Sequence, residues 1–90
     1  MFRVEWLQSA LDQLSAIWLH GDSALRERIT QSAHELDREL RIDPMSLGES
    51  RSARSRITFV APLGVLFRVD ADSKLAVVEG VWLLARRNPG

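Results

Sequence analysis

The residues best suited to chemistry are arginines, and most of them lie in the C-terminal half of the chain. Residues 51–90 hold seven basic side chains against three acidic ones, whereas residues 1–50 hold five against nine. Guanidinium groups can hold a phosphate and offset the negative charge of its oxygens. The candidate phosphate ligands are Arg51, Arg54, Arg56, Arg68, Arg86 and Arg87.

Metal-free chemistry at a phosphate held by such groups would also require a base and an acid. Glu49 or Glu79 could act as the base. No residue is an obvious acid, because arginine stays protonated at ordinary pH. The same arginines could instead be solvated surface charges or a docking surface for an acidic protein segment. The sequence leaves both interpretations open.

Two residues in the stretch FVAPLGVLFRVD (residues 59–70) need an explanation. Arg68 is the only charge inside the apolar run that Asp70 ends, and Gly64 stands where a strand should begin. Arg68 could pair with Glu79 across antiparallel strands, or it could serve a catalytic site. Gly64 could supply a positive φ in the turn that follows Pro62.

Other kinds of site have little support. The chain has no cysteine, which excludes disulfides and thiolate metal ligands. His20 and His34 lack a third ligand at suitable spacing. We therefore expect no metal and no cofactor. Trp6, Trp18 and Trp82 are most simply core residues, although Trp82 could face a partner because tryptophan is common in interfaces.

The N-terminal half predicts a short strand followed by a helical hairpin. Apolar and charged residues alternate over residues 2–6, which is typical of a half-buried strand. Apolar residues then recur at helical spacing from Leu7 to Trp18, and Gly21 ends the helix. A second amphipathic helix begins near Asp22 and ends before Pro44.

The C-terminal half predicts an antiparallel meander over residues 57–60, 65–69 and 74–84, after loop-like residues 44–55 that leave room for a short edge strand. The last strand is apolar on both faces apart from Glu79 and Gly80. A partner protein or a second copy of the chain could cover the second face. Alternatively, a bulge near Gly80 could exchange the two faces.

The composition is that of one small α+β domain spanning residues 1–90. The chain is 46% hydrophobic and 27% charged, with zero net charge and a pI near 6.7. A dedicated nucleic-acid-binding protein would usually be clearly basic. Glu5 and Asp12 interrupt the N-terminal stretch MFRVEWLQSALDQL, which argues against a signal peptide or a membrane span. We therefore expect a cytoplasmic protein.

Several segments together resemble the RelE/ParE superfamily of bacterial type II toxins. The opening FRVEWLQSALDQLSAIW resembles that family's first strand and alanine- and leucine-rich helix. LGESR resembles its glycine-containing loop, and RITFVAPLGVLFRVD resembles its central hairpin. LAVVEGVWLLARR resembles its last strand and basic tail. No single motif is specific, but the resemblance covers nearly the whole chain.

The resemblance implies a β-α-α-β-β-β fold in which a helical hairpin packs on a small antiparallel sheet. It also implies a toxin that a cognate antitoxin wraps and silences, and that acts either on mRNA at the ribosome or on DNA gyrase. An enzyme of this kind would use Arg54, Arg56, Arg68 and Arg86 as catalytic residues, with Arg51, Trp82 and Arg87 in binding.

The sequence also departs from the cleaving members of that family. They often place an arginine where Gly64 stands, and a Tyr, His or Arg close to the C-terminus. This chain has no tyrosine, and the terminal ARRNPG has no histidine. The alternative is therefore a non-toxic family member that acts only as a protein-binding module.

Overall fold

The structure is a computed structural model that describes residues 1–50 and 55–84. It begins with strand β1 (Arg3–Trp6), helix α1 (Gln8–His20) and helix α2 (Ser23–Ile42). A 3-10 turn (Pro44–Ser46) leads to four further strands. These are β2 (Glu49–Ser50), β3 (Ser55–Val60), β4 (Leu63–Asp70) and β5 (Leu75–Leu83). The element order confirms the predicted α+β fold, and β2 is the short edge strand.

The described strands form one sheet in the order β1-β5-β4-β3-β2. The pairs β2–β3, β3–β4 and β4–β5 are antiparallel, which confirms the predicted meander. Strand β1 joins the far edge and runs parallel to β5, with Arg3 opposite Leu75. The sheet is therefore mixed, because β1 runs parallel to its neighbour β5 whereas the other pairs are antiparallel.

The helical hairpin is fastened at its tip by Arg26. Its Nε and Nη2 donate to the carbonyl oxygens of Trp18 and Leu19 at 2.9 and 2.8 Å. The guanidinium also lies 4.5 Å from the centre of the Trp18 ring, a cation–π distance. Asp22 accepts from the backbone N–H of Leu25 at 2.8 Å, which confirms it as the N-cap of α2. One arginine thus donates to two carbonyl groups in the last turn of α1, where the helix itself leaves carbonyls short of partners.

The core lies between the hairpin and one face of the sheet. Alternate residues of β4 point toward the helices, and Leu63, Val65 and Phe67 are fully buried there. The helices contribute a buried stripe to the same cluster, formed by Ala10, Ile29, Leu36 and Leu40. Ser32 is also buried, and its hydroxyl donates to the carbonyl oxygen of Ala61 at 2.7 Å. The face of the sheet that is turned away from the helices is called the open face below.

A β-bulge in β5 decides which of its residues reach the open face. Leu66 lies opposite Gly80 and Phe67 lies opposite Val78, so Glu79 is an extra residue. Val78 and Val81 consequently both lie on the helix side, and Trp82 lies on the open face. This confirms the alternative in which a bulge near Gly80 exchanges the two faces.

Helix α1 holds this bulge through Gln13. Its Oε1 accepts from the backbone N–H of Val81 at 2.9 Å, which joins residues 68 positions apart. The Gln13→Ala variant should lose about 1 kcal/mol of unfolding free energy, because the N–H loses its acceptor. Urea titration measures this loss, and Gln31→Ala on the exposed side of α2 is the control. Equal stability of the two variants would contradict the assignment.

Candidate functional site

An aromatic row crosses the open face at one end of the sheet. Phe59, Gly64 and Trp82 are in register across β3, β4 and β5. Phe59 is 62% exposed and Trp82 is 38% exposed, although both are large apolar side chains. Exposed aromatic side chains gathered at one place mark an interaction surface more often than scattered ones do.

Gly64 is the reason that the Trp82 ring lies flat on the sheet. An added Cβ at Gly64 would overlap the indole atoms Cε2 and Nε1 at equal distance. Cε2 lies where the two rings of the indole join, whereas Nε1 lies on the outer edge. A Cβ that met the edge of the indole would be nearer to Nε1, so the equal distances place the flat face of the ring over the glycine. The expectation of a turn glycine with positive φ is wrong, because Gly64 lies within β4. Among the described glycines it is Gly48 that has a left-handed φ, of 63°.

A groove beside this row extends to the short edge strand. Its volume is about 630 Å³, and it is lined by Gly48, Glu49, Ile57, Thr58, Phe59 and Trp82. Ile57 lies opposite Glu49 of β2, so the carboxylate stands at the edge-strand side of the groove. The groove therefore combines apolar and aromatic side chains with polar groups, among them Thr58 and the carboxylate of Glu49.

Arg68 forms the predicted cross-strand ion pair on the open face. Its Nη1 lies 3.1 Å from Oε2 of Glu79, the extra residue of the bulge. Their side chains are 44% and 23% exposed. A pair with this exposure contributes only up to about 1 kcal/mol, so it orients both groups more than it stabilises the fold.

The side chain of Arg56 leaves β3 on the side of the sheet that faces the helices, opposite to Arg68. It is in register with the buried Phe67, whereas Arg68 is in register with Ser55. Its Nε donates to the carbonyl oxygen of Leu47 at 2.9 Å, and its Nη2 to that of Gly48 at 3.4 Å. Arg56 therefore fixes the loop that precedes β2.

The structure thus places three of the seven candidate site residues. Arg56 and Arg68 start from opposite faces of the sheet, and Trp82 lies on the open face. Arg51, Arg54, Arg86 and Arg87 lie outside the described residues. Within residues 1–50 and 55–84, no group of three or more His, Asp or Glu side chains could hold a metal ion. No helix of that part of the chain is long and apolar enough to cross a membrane.

The place of Glu49 in a groove and the exposure of Phe59 on the open face were not predicted from the sequence. One signal was available, since a glycine inside an apolar strand often marks the close approach of another group. Gly64 was that signal, and its partner is Trp82.

Comparisons with known proteins bear on the fold. No protein-family model matches the sequence, and no curated protein is significantly similar to it. Solved structures do match. A chain of the chromosomal ParDE toxin–antitoxin system from P. aeruginosa is 20% identical and has a TM-score of 0.68, with 94% of this chain and 98% of that chain covered.

Two RelE-type structures match at a similar level. The RelBE2 toxin–antitoxin complex from Mycobacterium tuberculosis contains a chain that is 17% identical, with a TM-score of 0.65 and coverage of 91% of this chain and 96% of that one. The isolated RelE toxin from E. coli is 16% identical, with a TM-score of 0.65 and coverage of 97% and 88%. The chain therefore has the fold that these ParDE, RelBE2 and RelE structures share.

Proposed function

We propose that this chain is the toxin component of a bacterial type II toxin–antitoxin pair and acts in the cytoplasm. The observation that supports the proposal is the likeness to ParDE and RelE structures over more than nine-tenths of this chain. The sequence resemblance, which rests on segments from both ends of the chain, points to the same family. The cognate antitoxin would be the partner that keeps the chain inactive until it is removed.

Between the two targets known for such toxins, we propose a protein target of the gyrase type. Arg68 is already paired with Glu79, and Arg56 is bonded to the loop before β2. The sequence has no tyrosine to assist a cleavage reaction. Two of the four arginines proposed for RNA cleavage are therefore engaged within the fold. A protein-binding surface, unlike a cleavage site, needs no acid or base.

Induced expression of the chain alone in a bacterial host tests the toxin proposal. We expect growth arrest, with DNA synthesis falling before protein synthesis in pulse-labelling, and inhibition of gyrase supercoiling by the purified protein. If protein synthesis falls first and ribosome-bound mRNA is cut, the target is translation. In that case Arg54→Ala, Arg56→Ala, Arg68→Ala and Arg86→Ala would identify which guanidinium groups contribute. Normal growth with soluble, folded protein would indicate the non-toxic binding module instead.

Co-expression tests the partner. The neighbouring small open reading frame should encode an antitoxin whose expression restores growth and which co-purifies with this chain. Failure of every neighbouring gene product to bind would contradict the pair.

A further inference from the structure

We propose that the groove between Glu49, Phe59 and Trp82 binds a lysine or arginine side chain presented by a partner protein. This inference rests on the groove alone and holds whether or not the proposed toxin function is correct. The surface is concave, with a volume of about 630 Å³, which is enough for one long side chain and its neighbours.

The shape of the groove suits a cation on an apolar stem. The indole of Trp82 covers Gly64 with one flat face, so its other face is turned away from the sheet. A guanidinium or ammonium group over that face gains a cation–π interaction. Ile57 and Phe59 line the same groove and can cover the methylene stem of the side chain.

The charges of the open face favour a cation over a polyanion. The two arginines that the structure describes on this face already have carboxylate partners. Arg68 pairs with Glu79, and Arg3 lies 3.5 Å from Glu5. Glu49 is exposed, and it forms no ion pair with any residue in the described part of the chain. Among the described residues, a phosphate backbone entering the groove would meet this carboxylate without a compensating cation, whereas a basic side chain would pair with it.

Nuclear magnetic resonance titration of the full chain tests the proposal. One probe is a capped pentapeptide, Gly-Leu-Arg-Leu-Gly, and its matched control carries citrulline, which has nearly the shape of arginine without the charge. The readouts are the indole N–H of Trp82 and the backbone amides of Glu49 and Phe59. We expect the arginine peptide to shift these signals with millimolar affinity, and the citrulline peptide to bind about fivefold more weakly.

Two variants separate the groove from general surface charge. Glu49→Gln should weaken binding of the arginine peptide about fivefold and leave the citrulline peptide unchanged. Glu35→Gln on the exposed side of α2 removes the same charge elsewhere and should change neither. Both substitutions are at exposed positions, so both variants should fold.

Three results would overturn the proposal. Equal shifts with both peptides would mean that the groove takes apolar groups only. No shift with either peptide would mean that the groove is closed or filled by other groups of the chain, its own arginines among them. Stronger binding of a single-stranded RNA hexamer, increased further by Glu49→Gln, would assign the face to nucleic acid. None of these outcomes depends on growth arrest, so failure of this proposal is distinct from failure of the toxin proposal.

Discussion

The Gly48→Ala variant should lose about 2–4 kcal/mol of unfolding free energy, the largest effect of any substitution considered for this protein. Gly48 has a φ of 63°, a left-handed conformation that alanine adopts only with strain. An added Cβ would also overlap the carbonyl oxygen of Ile57, which belongs to the backbone of β3. Because backbone cannot rotate away as a side chain can, we expect β2 to separate from β3.

Urea or thermal unfolding measures this loss, and Gly80→Ala is the matched control. A Cβ at Gly80 would lie 3.6 Å from Oε1 of Gln13 and 3.8 Å from Cβ of Leu66, which is ordinary contact. The control should therefore stay within about 0.5 kcal/mol of the parent protein. A Gly48→Ala variant as stable as Gly80→Ala would show that β2 and its loop do not depend on the left-handed glycine.

The second large effect is expected for Gly64→Val. The added side chain would occupy the space of the Trp82 indole and force the ring off the sheet. We expect a loss of about 1–3 kcal/mol, the usual cost of overpacking, together with a large shift of the indole N–H resonance of Trp82. The groove would lose one wall, so binding of the arginine peptide should disappear.

A double-mutant cycle isolates the contact between these two residues. Without the indole, valine at position 64 has room, and its β-branched side chain suits a strand. Trp82→Ala combined with Gly64→Val should therefore cost less than the sum of the two single changes by about 1 kcal/mol or more. Additive costs would mean that the two side chains do not compete for the same space.

Much of the architecture was accessible from the sequence because the local signals agree with one another. The helical stripes, Gly21, the Asp22 cap and Pro44 set the bounds of the hairpin closely. The parallel pairing of β1 with β5 was not accessible, because Arg3 and Leu75 are far apart in sequence and neither carries a local mark of its partner. At that edge Val4 and Trp6 pack against the core cluster.

The candidate site was accessible only in part. The ion pair of Arg68 and Glu79 could be predicted, because the two residues lie on adjacent antiparallel strands on either side of one turn. The contacts of Arg56 could not be predicted from the sequence, because it donates to backbone carbonyls of a loop whose path the sequence does not specify. The aromatic groove was hidden because Trp82 reaches the open face through a single extra residue in β5.

The pairing of the first strand with the last has a consequence for when the protein can form. During synthesis β1, α1 and α2 emerge first, but β1 has no neighbour in the sheet until residues 75–78 are available. The hydrogen bond between the Gln13 side chain and the Val81 N–H likewise cannot form until Val81 has been synthesised. Contacts between distant parts of a chain form slowly, because a long loop must close before they are gained. A chain that is cut short before β5 therefore lacks the strand that joins β1 to the meander and carries Trp82. Only a product that extends through Trp82 can present the aromatic face.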